Sequence, residues 1–84
     1  MQVAVIGLGY VGLVTATCLA RLGQQVVGLE VDAEKLRSLE RGEAPYYEPH
    51  LQPELTQQQA DRRLSFTLDP ALALREADVV LVCV

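Results

Sequence analysis

Cysteine, histidine and large aromatic residues are scarce in this sequence of 84 residues. It holds two cysteines, one histidine, one phenylalanine and no tryptophan. Cys18 and Cys83 lie far apart in apolar surroundings, which argues against a disulfide framework and against a metal site built on a cysteine pair. We therefore expect no metal centre. We also expect both thiols to be buried and inert, because an apolar environment disfavours the thiolate.

Basic clusters and unbroken apolar runs are lacking as well. Seven basic and eleven acidic side chains give a net charge of −4, and the only adjacent basic pair is Arg62-Arg63. This composition argues against a nucleic-acid surface. The uncharged stretch from Met1 to Ala20 is interrupted by three glycines and has no positive segment before it, so it fits neither a membrane span nor a secretory signal. We expect a cytoplasmic protein.

Hydrophobic residues, in contrast, make up half of the chain, and only 21% of the residues are charged. This composition predicts a folded core. The length is below the ~100–150 residues of a common domain. Residues 78–84 form a strongly apolar strand pattern with no loop or helix after it. We expect residues 1–84 to be the amino-terminal part of a larger domain, truncated after its fourth strand.

Strand and helix patterns alternate along the chain. The strands are expected at 2–6, 25–30, 64–68 and 78–84, and the helices at 10–22, 33–39, 49–60 and 70–76. Within the first helix, the spacing of Val11, Val14, Cys18 and Leu22 predicts the buried face, and Gly23 is placed as its C-cap. Alternating elements predict an α/β fold of Rossmann type, a parallel sheet with flanking helices and strand order 3-2-1-4.

The most informative motif is the glycine-rich stretch that runs from Gly7 to Gly12 and reads Gly-Leu-Gly-Tyr-Val-Gly. In the G-x-G-x-x-G pattern the first glycine permits a tight turn, the second lets a pyrophosphate approach the backbone, and the third lets helix and strand pack closely. Here Gly7, Gly9 and Gly12 fill those positions between a predicted strand and a predicted helix. The pattern predicts dinucleotide binding at the helix N-terminus.

An acidic residue in the expected place strengthens this interpretation. Glu30 follows Gly12 by eighteen residues and ends the second strand, where a ribose-binding carboxylate belongs. Asp32 points the same way in an extended chain and is the alternative, although it is also a candidate N-cap for the next helix. Lys35, one helical turn further, is a candidate for the adenosine side of the cofactor. A carboxylate with no arginine after it predicts NAD rather than NADP.

Three stretches of the sequence resemble the UDP-glucose/GDP-mannose dehydrogenase family. They are residues 5–14 around the Gly-Tyr-Val-Gly motif, residues 30–35, and residues 42–49, which contain Pro-Tyr-Tyr-Glu-Pro. The resemblance implies that Tyr10, Val11 and Glu30 contact NAD and that Lys35 also meets the cofactor.

Two positions depart from the family pattern, and the segment around them carries further expectations. The family usually has Asp where Glu30 stands and Gly where His50 stands. We interpret His50 as an exposed residue in the first turn of the third helix, which Pro49 begins and Glu48 caps. Tyr46 and Tyr47 are expected to be packing or interface residues.

The resemblance also implies an activity. Such enzymes oxidise the 6-hydroxyl of a nucleotide sugar to a carboxylate, with two NAD molecules in succession and a cysteine nucleophile. That cysteine is expected in a later segment, so we expect no catalytic residue in residues 1–84 and no activity from them alone. UDP-glucose is the first candidate substrate and GDP-mannose the second. A homodimer and a role in nucleotide-sugar metabolism and polysaccharide biosynthesis are implied too.

A non-enzymatic alternative uses the same elements. Nucleotide-sensing regulatory domains of potassium transport systems share the strand, the glycine loop and the acidic strand end, and they bind nucleotides without transforming them. The segment from Pro45 to Pro49 and the pair Tyr10-Val11 favour the dehydrogenase.

Overall fold

A computed structural model describes all residues from 1 to 84. The four strands are β1 (Gln2–Ile6), β2 (Gln25–Leu29), β3 (Leu64–Thr67) and β4 (Val79–Val82). The four helices are α1 (Tyr10–Arg21), α2 (Ala33–Glu40), α3 (Leu51–Ala60) and α4 (Pro70–Leu74). All strand pairs are parallel and the order is β3-β2-β1-β4, as predicted.

The register explains where the core lies. Val3 lies opposite Val26, and Val26 lies opposite Leu64, so these three side chains share one face of the sheet. Because crossovers between parallel strands are right-handed, α1, α2 and α3 cover that face and α4 covers the other. The main core consists of 13 buried residues on the first face. On β4, Val80 and Val82 remain 43% and 65% exposed.

Helix α1 buries a different face from the predicted one. Val11 and Leu22 are 65% and 75% exposed, and Cys18 is exposed as well. The buried residues of the helix are Gly12, Leu13, Ala16, Thr17 and Ala20. Apolar residues surround this helix on most sides, so spacing alone does not choose the face. The tertiary structure chooses the stripe of small residues, because it lets the helix lie close to the sheet.

The start of α3 also differs from the expectation. Pro49 lies in a turn ahead of the helix, which begins at Leu51 with His50 as its exposed N-cap residue. The turn is closed by the Leu51 N–H, which donates to the Glu48 carbonyl at 3.0 Å. No side chain caps α3, so the predicted capping role of Glu48 is wrong.

Other helix ends follow the sequence signals. Gly23 has a φ of +101°, which suits the residue after the end of α1. Asp32 caps α2 by accepting from the N–H groups of Glu34 and Lys35. Asp69 caps α4 in the same way. None of the four helices is long and apolar enough to cross a membrane.

Candidate dinucleotide site

The first and third glycines of the turn are required by the backbone of the protein itself. Gly7 has a φ of +93°, and a Cβ there would lie 2.9 Å from the Cys83 carbonyl oxygen. A Cβ on Gly12 would lie 1.8 Å from the Gly7 carbonyl oxygen. Any side chain at position 12 would therefore push α1 away from β1. These are the turn and packing roles that the glycine pattern predicts.

Gly9 is different, because nothing in the protein requires a glycine there. Its φ of −67° suits any residue, and an added Cβ would meet no atom within 4 Å. The free space lies at the N-terminus of α1. The N–H groups of Tyr10, Val11 and Gly12 donate to no acceptor in the chain, and no acidic residue occupies the first turn. Unpaired donors and the positive end of a helix dipole form an anion site with room for a phosphate.

Glu30 lies directly after β2 and is 6% exposed, so it is not a solvated carboxylate. Its Oε2 accepts a hydrogen bond from the Asp32 N–H at 2.9 Å, and its Oε1 lies 3.8 Å from Lys35 Nζ. Asp32 Oδ1 accepts from the N–H groups of Glu34 and Lys35, which is the capping role that the sequence offers for this residue. Glu30, which makes no such cap, remains the predicted ribose-binding acid.

Lys35 reaches back from α2 to the glycine turn. Its ammonium donates to the Leu8 carbonyl at 3.3 Å and to the Tyr46 hydroxyl at 2.9 Å. The hydrogen bond to Tyr46 raises the pKa of Lys35 above 10.5; burial lowers the pKa and the nearby Glu30 carboxylate raises it. Lys35 is accordingly a fixed cation beside the turn, close to Glu30.

Tyr10 and Val11 form the exposed mouth of the turn. Tyr10 is 47% exposed, and its hydroxyl donates to the Glu48 carboxylate at 2.7 Å. That hydrogen bond, with the adjacent negative charge, raises the pKa of Tyr10 above 10.0. The Tyr46 ring packs edge-on against the Tyr10 ring, with the centroids 6.0 Å apart. The segment from Pro45 to Pro49 is thus attached to the glycine turn.

Glu48 and Tyr46 are the site residues that sequence reasoning did not place. The Pro-Tyr-Tyr-Glu-Pro segment was conspicuous in the sequence, but no local pattern indicates which side chain it contacts. Of the packing or interface role expected for the two tyrosines, packing is confirmed for Tyr46, whose ring lies against Tyr10. The side chain of Tyr47 is 92% exposed and does not pack within residues 1–84, so for Tyr47 the interface role stays a prediction.

Two cavities lie outside the turn. A groove of about 260 Å³ runs between α1 and α3 beside Tyr10, and Cys18 lines it. The prediction that Cys18 is buried is therefore wrong. A larger cavity of about 360 Å³ lies against α4 on the other face of the sheet, lined by residues such as Val27, Ser65 and Leu72. Cys83 is half-buried beneath the glycine turn.

Taken together, the parallel sheet, the glycine turn against an unpaired helix N-terminus and the buried acid after the second strand define a dinucleotide-binding domain of Rossmann type.

Comparison with known proteins identifies the family. Residues 1–84 match the sequence profile of the UDP-glucose/GDP-mannose dehydrogenase family, NAD binding domain. The chain belongs to this family, and its cofactor is NAD.

Similar proteins include two UDP-glucose 6-dehydrogenases. The one from Pseudomonas aeruginosa is 49% identical over 84 residues, which cover 100% of the chain and 18% of that protein. TuaD from Bacillus subtilis is 45% identical over 83 residues, with 99% and 18% covered. A crystal structure of a ternary complex of GDP-mannose dehydrogenase from Pseudomonas aeruginosa superimposes with a TM-score of 0.96 at 39% identity, covering 100% of the chain and 19% of that structure. The chain thus spans about a fifth of the length of these proteins.

Proposed function

We propose that residues 1–84 are the NAD-binding part of a nucleotide-sugar 6-dehydrogenase that converts UDP-glucose to UDP-glucuronate. The observation that carries this proposal is the open space at Gly9 beside three unpaired N–H groups, because nothing in the protein itself uses that arrangement. The UDP-glucose 6-dehydrogenases at 45% and 49% identity support the choice of substrate. Membership of a dehydrogenase family favours the enzyme over a nucleotide sensor.

Different residues of the site would bind different parts of the cofactor. We assign the pyrophosphate to the N–H groups of Tyr10, Val11 and Gly12, with Gly9 leaving the space and Gly7 shaping the turn. Glu30 would accept from the ribose hydroxyls, and Lys35 would face the adenosine side. When bound, NAD supplies the hydride acceptor. We assign to residues 1–84 only the binding and orientation of NAD, and no catalytic role to Cys18, although it lines the same groove as His50.

The product and assembly complete the proposal. Oxidation of a primary alcohol to a carboxylate removes four electrons, so each sugar reduces two NAD molecules. We further propose that the full-length protein is a cytoplasmic homodimer and that its sugar acid is used in polysaccharide biosynthesis. GDP-mannose is the alternative substrate, since the GDP-mannose dehydrogenase structure has a TM-score of 0.96.

An activity assay separates the two substrates. The purified full-length protein is mixed with NAD and either UDP-glucose or GDP-mannose, and NADH absorbance is followed. We expect turnover with UDP-glucose and two NADH per sugar consumed. Turnover with GDP-mannose and not with UDP-glucose would show that GDP-mannose is the substrate. NAD binding with no turnover on any nucleotide sugar would contradict the enzymatic proposal. Residues 1–84 alone are expected to be inactive.

A titration tests the role of Glu30. Replacing it by glutamine keeps an oxygen for the Asp32 N–H but removes the charge that would repel a 2′-phosphate. We expect Glu30→Gln to weaken NAD binding roughly tenfold, as for loss of a charge-assisted hydrogen bond, and to narrow the preference over NADP. The readout is calorimetric titration of the full-length protein with each cofactor.

The matched control is Glu34→Gln, which removes the same charge from an exposed side chain of α2. It should leave both affinities unchanged. An equal effect of the two substitutions would show that Glu30 acts only through overall charge.

A further inference from the structure

The ammonium of Lys35 has one hydrogen-bond donor to spare. An ammonium group carries three N–H donors. Two point to the Leu8 carbonyl and the Tyr46 hydroxyl, and Glu30 Oε1, at 3.8 Å, is near enough for charge attraction but too far for a hydrogen bond. The Lys35 side chain is 26% exposed, so this third donor is within reach of a ligand in the site.

This placement creates a conflict over cofactor choice. A carboxylate at the end of the second strand favours a ribose 2′-hydroxyl, whereas a basic side chain at the same place accommodates a 2′-phosphate. Glu30 and Lys35 supply one of each, and their charges cancel. If the Lys35 ammonium is free to move towards the 2′-phosphate, the Glu30 carboxylate cannot by itself exclude NADP.

Tyr46 limits that freedom. Its hydroxyl holds the ammonium at 2.9 Å, on the side of the Leu8 carbonyl. The Tyr46 ring is held in place because it packs edge-on against the Tyr10 ring, and the Tyr10 hydroxyl donates a hydrogen bond to Glu48. Since Lys35 and Tyr46 lie eleven residues apart, on α2 and on the loop after it, their contact belongs to the tertiary structure.

We propose that Tyr46 is a specificity-determining positioning residue, which keeps Lys35 on the glycine turn and so preserves the preference for NAD over NADP. The inference rests on the proposed role of Glu30 in cofactor binding. Tyr46 acts through Lys35 and need not touch the cofactor.

The test is the ratio of the NADP and NAD dissociation constants in the full-length protein. Tyr46→Phe keeps the ring and its packing but removes the hydroxyl that holds Lys35. We expect NADP to bind more tightly and NAD to change little, so the ratio falls about fivefold, the size of one net hydrogen bond. Tyr47→Phe is the matched control, because it removes a hydroxyl from the neighbouring exposed ring, and it should leave the ratio unchanged.

A second pair of variants tests whether Lys35 is the intermediary. Lys35→Met should raise the ratio, since it removes the positive charge that offsets the repulsion between the Glu30 carboxylate and a 2′-phosphate. In that background Tyr46→Phe should have no further effect on the ratio. If Tyr46 had a merely structural role, Tyr46→Phe would lower the affinities for NAD and NADP by the same factor. It would do so whether or not Lys35 is present.

Three outcomes would overturn the inference. The first is an unchanged ratio in Tyr46→Phe, and the second is the same fall in the Lys35→Met background. The third is a wild-type protein that binds neither NAD nor NADP. Of the three outcomes, only this one would also contradict the proposed function. A wild type that prefers NAD, together with an unchanged ratio in Tyr46→Phe, leaves the proposed function standing and rejects only the role of Tyr46.

Discussion

The turn from Gly7 to Gly12 and the segment from Pro45 to Pro49 lie side by side but are held by different forces. In the turn, backbone meets backbone so closely that a Cβ on Gly12 would lie 1.8 Å from the Gly7 carbonyl oxygen. The packed end of the turn therefore has no room to adjust.

The segment, in contrast, is attached through the ends of side chains. Its contacts with the turn and α2 are the hydrogen bonds from Tyr10 to Glu48 and from Lys35 to Tyr46, together with the packing of the two tyrosine rings. Each bond can be removed singly by a substitution that keeps the shape. A substitution at the packed end of the turn therefore disturbs the backbone itself, whereas the contacts of the segment can be removed one at a time.

Substitution at the packed end of the turn should have the largest effect. Gly12→Ala gains about 1 kcal/mol of helix propensity, but it places a methyl group where the Gly7 carbonyl already lies. Overpacking of this kind costs about 1–3 kcal/mol or more, so the clash outweighs the gain. We expect a clear drop in the thermal unfolding midpoint of the full-length protein and in its soluble yield.

The control for this prediction lies in the same turn. Gly9→Ala adds the same methyl group three residues earlier, where it meets nothing within 4 Å. It should keep the unfolding midpoint near that of the wild type. Equal destabilisation by the two substitutions would contradict the distinction between the packed and open ends of the turn.

At the open end of the turn we expect loss of binding without loss of the fold. Gly9→Val fills the space beside the unpaired N–H groups, so the pyrophosphate cannot approach. Valine is a poor N-cap, which costs up to about 1 kcal/mol, so the domain should remain folded. Circular dichroism and calorimetric titration with NAD separate the two effects. A folded variant that binds NAD as tightly as the wild type would show that this space is not used.

The smallest effect is expected for the contact between the turn and the segment. Ionising Tyr10 removes the donor to Glu48 and brings two negative charges together, so the folded state favours the neutral phenol. Because the folded pKa lies above 10.0, this contribution to stability is present below pH 10 and is lost as the pH rises through the raised pKa. The tyrosinate absorbance of Tyr10, isolated as wild type minus Tyr10→Phe, should therefore appear above pH 10.

Neutralising the partner sharpens this measurement. Glu48→Gln should move the Tyr10 titration down towards pH 10.0, since it removes the negative charge. Glu54→Gln neutralises another acid that lines the same groove and should leave the titration where it is. If Glu48→Gln also leaves it in place, the hydrogen bond to Tyr10 does not persist in solution.

Sequence reasoning was accurate where the signal is local. Gly7 and Gly12 are required by their own turn, Asp32 caps the helix that follows it, and Gly23 ends α1, all within a few residues of chain. The strand order also followed from the alternation of elements, because right-handed crossovers leave few other arrangements. The predicted face of α1 was wrong, because a helix with apolar residues on most sides offers more than one periodic stripe.

The amino-acid sequence by itself determined the parallel α/β sheet, the glycine turn and the acid after the second strand, since each depends on local backbone geometry and on periodicity. Only the tertiary structure decided that Tyr10 donates a hydrogen bond to Glu48 and that Lys35 donates one to Tyr46. These partners lie 38 and 11 residues apart. The physical reason is that a side-chain hydrogen bond depends on the relative placement of two separate elements, and that placement is set by the packing of α1, α2 and α3 on the sheet.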